Sequence, residues 1–331
     1  MKIVSIIGSR PQYMKLDKKL DQIIVDTGQH YSPNVSSDFF FKELKLPKPH
    51  YQLNAKTLPK MVLGSLNVLK KEKPHIVLVY GDTRSTLAGA LAASELGIPI
   101  VHVEAGMRSY RMDMPEERIR IAVDHLSTYL LVPNLTAVFN LEAERIKENV
   151  IVVGNVMFDT FNDVCPLRKT KRDGKYSYLT IHRQENTESK VRLESIFEAL
   201  RGKEEIIFPI HHRTAKVIKG FGIELPENIK VIEPVGYKKN LQYISGARRV
   251  VTDSGGVQNE AFWMSVPCGI LRRQTEWNEY VVDGWNVLLD ADEIDIQKFM
   301  SNPFDRRKAR PHMPVFGAKK MIRDFLFDLY V

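Results

Sequence analysis

The chain has 331 residues, of which 44% are hydrophobic and 27% charged, and its formal net charge is +8. That length exceeds one ordinary core and predicts two domains of about 150 residues each. The composition is that of a globular protein, and no apolar run reaches the ~18–20 residues a membrane span needs. The two cysteines, Cys165 and Cys268, lie far apart without metal-ligand spacing, so a reducing compartment and no disulfide are expected. The positive charge suits nucleic acid or small phosphates. The basic residues are scattered, however, and the densest run, Arg168 to Lys175, reads as a solvated connector. With no zinc-finger spacing and no aromatic-rich RNA signature, a nucleic-acid partner is not expected.

In chain order, the opening apolar run Ile3 to Ile7 leads into a turn rather than a small-residue cleavage site, so it reads as a buried first strand rather than as a signal peptide. Further strands are predicted at Ile23–Asp26, Ile76–Tyr80, Ile100–Val103, Tyr129–Val132 and Ile151–Val153. Helices fit at 34–44, 57–72, 84–96, 115–126 and 136–148. The scheme repeats in the second half. Strands fall near Ser177–Ile181, Ile206–Pro209, Ile229–Ile232, Arg249–Thr252 and Gly269–Leu271, with helices near 190–201, 213–219, 238–246 and 256–264. Strand–helix alternation implies parallel sheets covered on both faces. The polar stretch at 165–176 carries Pro and Gly and reads as the boundary. A last helix at about 316–330 carries an apolar stripe.

Ligands of such sheets bind beyond the carboxyl ends of the strands, so the residues just after each strand carry the information. After the first strand come Gly8, Ser9 and Arg10, where a glycine turn and a forked donor suit an anion. Two neighbouring strands end on carboxylates, Asp82 and Glu104. Asp82 reads equally as a cap of the helix that follows. Glutamate is a poor cap, which favours a functional role for Glu104. Glu116 and Glu117 follow Pro115 at a helix start, where negative charge suits the dipole; for Glu117 that stabilising role is favoured. In the second half, His182 and Arg183 follow one strand and His211 the next; histidine with arginine past two strand ends points to function. Ser254, Gly255 and Gly256 open a helix and could expose amides to a pyrophosphate, with Glu260 one turn on toward a ribose. Arg272 and Glu276 follow the next strand. No His-x-x-x-His or Cys-x-x-Cys spacing marks a metal site.

Taken in order, these pieces resemble the non-hydrolysing UDP-N-acetylglucosamine 2-epimerase family. The likeness rests on Gly8-Ser9-Arg10-Pro11, Thr27-Gly28-Gln29-His30, Gly81-Asp82-Thr83, and His102-Val103-Glu104-Ala105-Gly106-Met107-Arg108-Ser109. It continues through Pro115-Glu116-Glu117 with Arg120, Ile181-His182-Arg183-Gln184-Glu185-Asn186, Asp253-Ser254-Gly255-Gly256-Val257-Gln258 and Thr275-Glu276. The resemblance implies an α/β fold of two Rossmann-like doubly wound domains in a glycosyltransferase-B arrangement with an interdomain cleft. The first domain would cover 1–168 and the UDP-binding domain 169–311, with helix 312–331 packing back on the first. It also implies a cytoplasmic enzyme and a homodimer, without membrane, metal or cofactor.

The implied chemistry inverts C2 of a UDP-sugar by eliminating UDP across C1–C2 to 2-acetamidoglucal and re-adding it. By position, Asp82, Glu104, Glu116 and His211 are the acid/base and leaving-group candidates. Arg10, His182, Arg183, Ser254, Gly255, Gly256, Glu260, Arg272 and Glu276 would hold the substrate, and Arg120 would support Glu116. The chain departs from the family pattern at Gln12, Ile119, Asn259 and Trp277, and Tyr31-Ser32 after His30 argues against regulation by a second substrate molecule. Gln12, Trp277 and His211-His212-Arg213-Thr214 also resemble a sister branch that epimerises UDP-2,3-diacetamido-2,3-dideoxyglucuronate, whose carboxylate Arg213 or Arg273 could meet. A B-type UDP-sugar glycosyltransferase is the alternative from another enzyme class.

Overall fold

The protein is described here from a computed structural model covering residues 1–29, 43–165, 174–281, 284–305, 307–309 and 313–329. Most of the expected helix 34–44, the motif residues His30, Tyr31 and Ser32, and most of the basic run from Arg168 lie outside the described residues. The chain divides into two compact units, one made of Met1–Val164 with Pro314–Val331, the other of Cys165–Met313.

In the first unit β1 (Ile3–Ile7) is followed by the short α1 (Arg10–Lys15), β2 (Ile23–Asp26) and β3 (Tyr51–Gln52). Then come α2 (Leu58–Glu72), β4 (Ile76–Tyr80), α3 (Arg84–Glu95), β5 (Ile100–Val103) and α4 (Pro115–Leu126). The unit continues with β6 (Tyr129–Val132), α5 (Leu135–Ala143), β7 (Val150–Val152) and α6 (Val156–Val164). Among the described residues the sheet is seven-stranded, in the order β3-β2-β1-β4-β5-β6-β7, and its paired strands run parallel. β1 and β4 are buried along their whole length because helices cover both faces, which is why they read as unbroken apolar runs.

The second unit contains β8 (Ser177–Thr180), α7 (Gln184–Thr187), α8 (Lys190–Leu200), β9 (Ile206–Pro209), α9 (His212–Gly220), β10 (Ile229–Ile232) and α10 (Tyr237–Gly246). It goes on through β11 (Arg249–Thr252), α11 (Gly255–Trp263), β12 (Cys268–Ile270), β13 (Asn286–Leu288) and α12 (Glu293–Ser301). Its sheet order, β10-β9-β8-β11-β12-β13, repeats that of the first unit. Both orders reverse direction once, between β1 and β4 and between β8 and β11. Neighbouring connections diverge there and leave a crevice at the carboxyl ends.

The expected strands are found with shifts of one residue at β7, β8 and β12. The expected helix 136–148 stops at Ala143, because Arg145 takes a left-handed φ of 65° that ends helical bonding. β3, β13, α6, α7 and α12 were not anticipated. The final helix α13 (Ala318–Asp328) returns to the first unit. It buries Ala318, Ile322 and Leu326 among Ile3, Ile7, Leu16 and Tyr80, one stripe of a two-sided helix at spacings of four. Leu326→Ala empties part of that contact and is expected to lower stability by about 2–4 kcal/mol. Thermal unfolding followed by circular dichroism checks this, and an unchanged melting temperature would refute the packing.

Candidate active site

The switch point of the first unit is built by three turns. After β1, the chain passes Gly8 and Ser9 into α1. A Cβ on Gly8 would stand 2.0 Å from Thr27 Oγ1 and 2.3 Å from Ser85 Oγ, so only glycine lets β1, β2 and α3 close here. Gln12 then bolts the turn to its neighbour. Its Oε1 accepts from Gly8 N at 2.9 Å and Ser9 N at 3.1 Å, while its Nε2 donates to Tyr80 O at 2.8 Å and Thr86 Oγ1 at 3.0 Å. An amide has both an acceptor and a donor end, and this site uses both. Arg10 opens α1 partly buried; burial lowers its pKa, against the opposing charge of Glu43.

After β4, Thr83 rather than Asp82 is the N-cap of α3, its hydroxyl accepting from Thr86 N. Asp82 is thereby free of capping and pairs with Arg120 Nη2. After β5, Glu104 sits at φ 71°, a left-handed conformation uncommon for a residue other than glycine. Both Glu104 N and Ala105 N donate to Leu131 O, which fixes the turn. The Glu104 carboxylate accepts from Lys15 Nζ at 2.7 Å, and only 8% of the lysine side chain is exposed. Gly106 follows at φ 74°, where a Cβ would meet Ala137 O at 2.5 Å.

Arg120 does not support Glu116 as the sequence suggested. Its two terminal nitrogens hold Asp82 and, at 2.7 Å, Glu117 Oε2. Glu116 stands half-exposed in the first turn of α4. Glu117, read from sequence as a helix-start stabiliser, is fully buried and organises a loop: its carboxylate accepts from Ser109 N at 2.9 Å, Ser109 Oγ at 2.9 Å and Tyr110 N at 2.7 Å. Beneath lies a second buried set. His102 Nε2 donates to Gly81 O at 2.8 Å, and its Nδ1 lies 2.6 Å from Asp124 Oδ1. Asp124 also meets Arg108 Nη1 at 2.7 Å and Gly106 N at 3.1 Å. Burial would raise the Asp124 pKa, but His102 and Arg108 together hold it below its usual value.

The second unit has its own switch-point cluster, ordered by Asp253. This fully buried carboxylate accepts from His182 N at 3.0 Å, Arg183 N at 2.9 Å and Asn186 Nδ2 at 3.1 Å, so it ties the end of β11 to the turn after β8. Ser254 caps α11, and Gly255 and Gly256 are its first helical residues. Their N–H groups have no partner within the helix, and nothing would lie within 4 Å of a Cβ on Gly256. Arg183 Nη2 stands 3.8 Å from Glu276 Oε1, and Arg272 donates to Glu276 Oε2 at 2.9 Å. Glu260, one turn into α11, is 4% exposed and takes Asn240 Nδ2 at 3.2 Å. Burial pushes its pKa up to about 8, against the hydrogen bonds of Tyr237 and Asn240. His211 caps α9, accepting from Arg213 N at 3.3 Å, and its ring lies 4.0 Å from that of His212, tilted by 39°. Among the described residues no group of three or more His, Cys, Asp or Glu could hold a metal ion, and no helix is long and apolar enough to cross a membrane.

Residues 12–322 match the family model described as UDP-N-acetylglucosamine 2-epimerase. The chain belongs to the UDP-N-acetylglucosamine 2-epimerase family. It is 41% identical over 354 residues to the UDP-N-acetylglucosamine 2-epimerase of Methanocaldococcus jannaschii, covering 93% of this chain and 96% of the relative. It is 44% identical over 318 residues to the UDP-2,3-diacetamido-2,3-dideoxy-D-glucuronate 2-epimerase of Pseudomonas aeruginosa, covering 88% of this chain and 89% of that one. The crystal structure of the M. jannaschii UDP-GlcNAc 2-epimerase in complex with UDP-GlcNAc and UDP is similar with a TM-score of 0.87 at 37% identity, covering 99% and 100% of the two chains.

Of the candidates named from sequence, Asp82, Glu104, Glu116, Arg10 and Arg120 lie in the first unit, where Arg120 joins Asp82, and His182, Arg183, His211, Ser254, Gly255, Gly256, Glu260, Arg272 and Glu276 in the second, where Glu276 meets Arg183 and Arg272. Lys15, His102, Glu117 and Asp253 were not named as site residues. Lys15 is five residues past Arg10 on a helix too short to show a periodicity, so no local signal marked it. Glu117→Gln would remove the charge that Arg120 pairs with and turn an amide N–H toward a site lined by the backbone N–H groups of Ser109 and Tyr110 and the Arg120 guanidinium, which only donate, so a loss of about 3 kcal/mol is expected. Urea unfolding of the variant measures it, and a change within 0.5 kcal/mol, about the scale of a surface substitution, would show that the anchoring is dispensable.

Proposed function

We propose that this protein is a non-hydrolysing 2-epimerase that interconverts UDP-N-acetylglucosamine and UDP-N-acetylmannosamine. The observation that carries the reading is the pair of strand-end carboxylates in a family-matched chain: Glu104 in a left-handed turn against Lys15, and Asp82 held by Arg120. In this reading α11 and its arginines take the diphosphate, with the free amides of Gly255 and Gly256 and the charges of Arg183 and Arg272 facing its oxygens. Glu260 takes ribose hydroxyls. Asp82, Glu104, Glu116 and His211 serve the proton transfers and the departing diphosphate. The C2–H bond breaks with the proton going to a base, and its electron pair forms the C1–C2 double bond as the C1–O bond leaves with UDP. Return of UDP to C1 and of a proton to the other face of C2 gives the epimer. Preorganised charge near C1 and C2 lowers both barriers. A homodimer in the cytoplasm completes the proposal, carried by the family likeness.

The diacetamidoglucuronate substrate is the second reading, favoured by the Pseudomonas relative. The two cations named for its carboxylate are already engaged, Arg213 with Glu188 at 3.5 Å and Arg273 with Asp290 at 2.9 Å, which supports placing it second.

Incubation with UDP-N-acetylglucosamine in deuterium oxide without added metal, followed by proton spectroscopy, tests the proposal. UDP-N-acetylmannosamine with deuterium at C2 is expected. Free N-acetylmannosamine with UDP would replace epimerisation by hydrolysis. No change would move the assignment to the diacetamido substrate and then to a glycosyltransferase. Glu104→Gln and His211→Asn are each expected to cut turnover at least ~100-fold, the scale of general acid–base catalysis; near-normal turnover in either removes that residue from its role.

Glu260 adds a pH signature. Its folded pKa of about 8 lies above the ordinary glutamate value of 4.5, so the nucleotide-free protein binds the extra proton and loses stability as pH rises through that window. Ribose hydroxyls donating to the ionised carboxylate favour deprotonation. UDP affinity should therefore strengthen from pH 6 to 9, by up to about tenfold per unit below the raised pKa. Titration calorimetry checks this, and Glu260→Gln should flatten the dependence.

A further inference from the structure

Helix α1 has six residues, too few to hold itself, and its last carbonyls have no partner within the helix. It nevertheless carries Lys15, whose ammonium must stay on Glu104. The carbonyls on either side of that residue, Met14 O and Leu16 O, are taken by one distant side chain: Lys319 Nζ donates to them at 3.2 Å and 2.9 Å. The same ammonium donates to Thr160 Oγ1 at 2.7 Å, and the Thr160 hydroxyl donates to Met14 O at 2.6 Å. Lys319 is itself fixed. Asp159 accepts from Gly317 N at 2.8 Å and Lys319 N at 2.7 Å, which anchors the start of α13, and Arg323 one turn on pairs with Asp17.

We infer that Lys319 is a positioning residue for the proposed reaction: by capping the end of α1, the C-terminal helix sets the backbone from which Lys15 reaches Glu104. The inference rests on the epimerase reading of that pair. An ammonium offers three donors, and three acceptors are present. A neutral amine offers two and carries no charge, so losing the proton removes one donated bond and weakens the charge-assisted holds on α1. The charged groups around the ammonium are Asp17, Asp159, Asp163 and Lys18, with Arg323 on Asp17. Burial lowers the Lys319 pKa to about 8, against the three aspartates, so the release falls within the working range of an enzyme. A lysine whose folded pKa is lowered costs stability while charged, and that cost is relieved as pH rises from the folded value of about 8 toward the ordinary value of 10.5. Deprotonation therefore loosens α1 without weakening the fold as a whole.

The test compares Lys319→Met and Lys319→Arg with the unchanged protein between about pH 7 and 9.5, a window that spans the lowered pKa. Lys319→Met is expected to lower kcat on the order of 10- to 100-fold with little change in KM, the scale of a misplaced catalytic group. Lys319→Arg, permanently charged, is expected to recover most of kcat and to lose the alkaline fall shown by the unchanged protein. Hydrogen exchange of the 13–17 amides reads the same hold without any substrate: protection should fall in Lys319→Met, and in the unchanged protein above pH 8 after correction for base catalysis. Wild-type kcat and pH profile in Lys319→Met, or 13–17 exchange indifferent to the variant and to pH, would overturn the inference. If the unchanged protein turns over neither UDP-sugar, the epimerase reading fails on its own, and exchange still decides whether Lys319 caps α1. Should Lys319→Met not fold, the pH series on the unchanged protein decides.

Discussion

The Arg120 guanidinium is the constraint on which the first unit's cluster depends. One fork holds Asp82 at the end of β4, the other Glu117 on its own helix, and Glu117 gathers the backbone of Ser109 and Tyr110. A turn after one strand, a loop after the next and the start of α4 are thus fixed by one planar cation. Arginine suits this because its five donors are rigidly arranged and its charge survives burial. Lysine offers a point charge and could not keep two carboxylates at set angles. Removing Arg120 would leave a buried Glu117 unneutralised, a larger penalty than the pair's own net contribution.

The units solve the same problem with opposite charge. In the first, the strand ends present carboxylates, each neutralised by one cation from a different element: Lys15 from α1 and Arg120 from α4. In the second, Asp253 is spent on backbone N–H groups, which leaves the α11 amides and the arginines at 183 and 272 as the surplus. Glu276 tempers those arginines at 3.8 Å and 2.9 Å without cancelling them, since two cations share one carboxylate. The doubly wound topology places both clusters, because both sheets reverse at the same point in strand order. A surplus of negative charge suits proton abstraction, and a surplus of positive charge suits a diphosphate.

Much of this was legible from local pattern. Strands such as Ile76–Tyr80 announce themselves because both faces are covered, and the residue just past each is placed by topology. Elements with little burial of their own were not legible. β3 is two residues long and β13 three, and each is a strand because a neighbour pairs with it. Partners were the other loss. Lys15 and Glu104 are 89 positions apart and Asp82 and Arg120 are 38, so only the fold brings them together. The expectation that Arg120 serves Glu116 failed for a helical reason: residues four apart face one another, but so do residues three apart, and the buried Glu117 won.

That outcome bears on how the cluster is tuned. Glu117 is sequestered, Asp82 is held by Arg120, and Glu104 is held by Lys15. Glu116 is partly buried like Asp82 and Glu104, but among the described residues no ion pair joins it to Arg120. The cluster's carboxylates therefore have two anchors, Arg120 on α4 and Lys15 on α1. The second depends on a six-residue helix whose end is held from the far terminus of the chain. The sheet holds the body of α1 through side chains, Gln12 Nε2 donating to Tyr80 O at 2.8 Å and Tyr13 Oη to Asp26 Oδ2 at 2.6 Å, so the brace from α13 completes at the Lys15 end a hold that the strands begin.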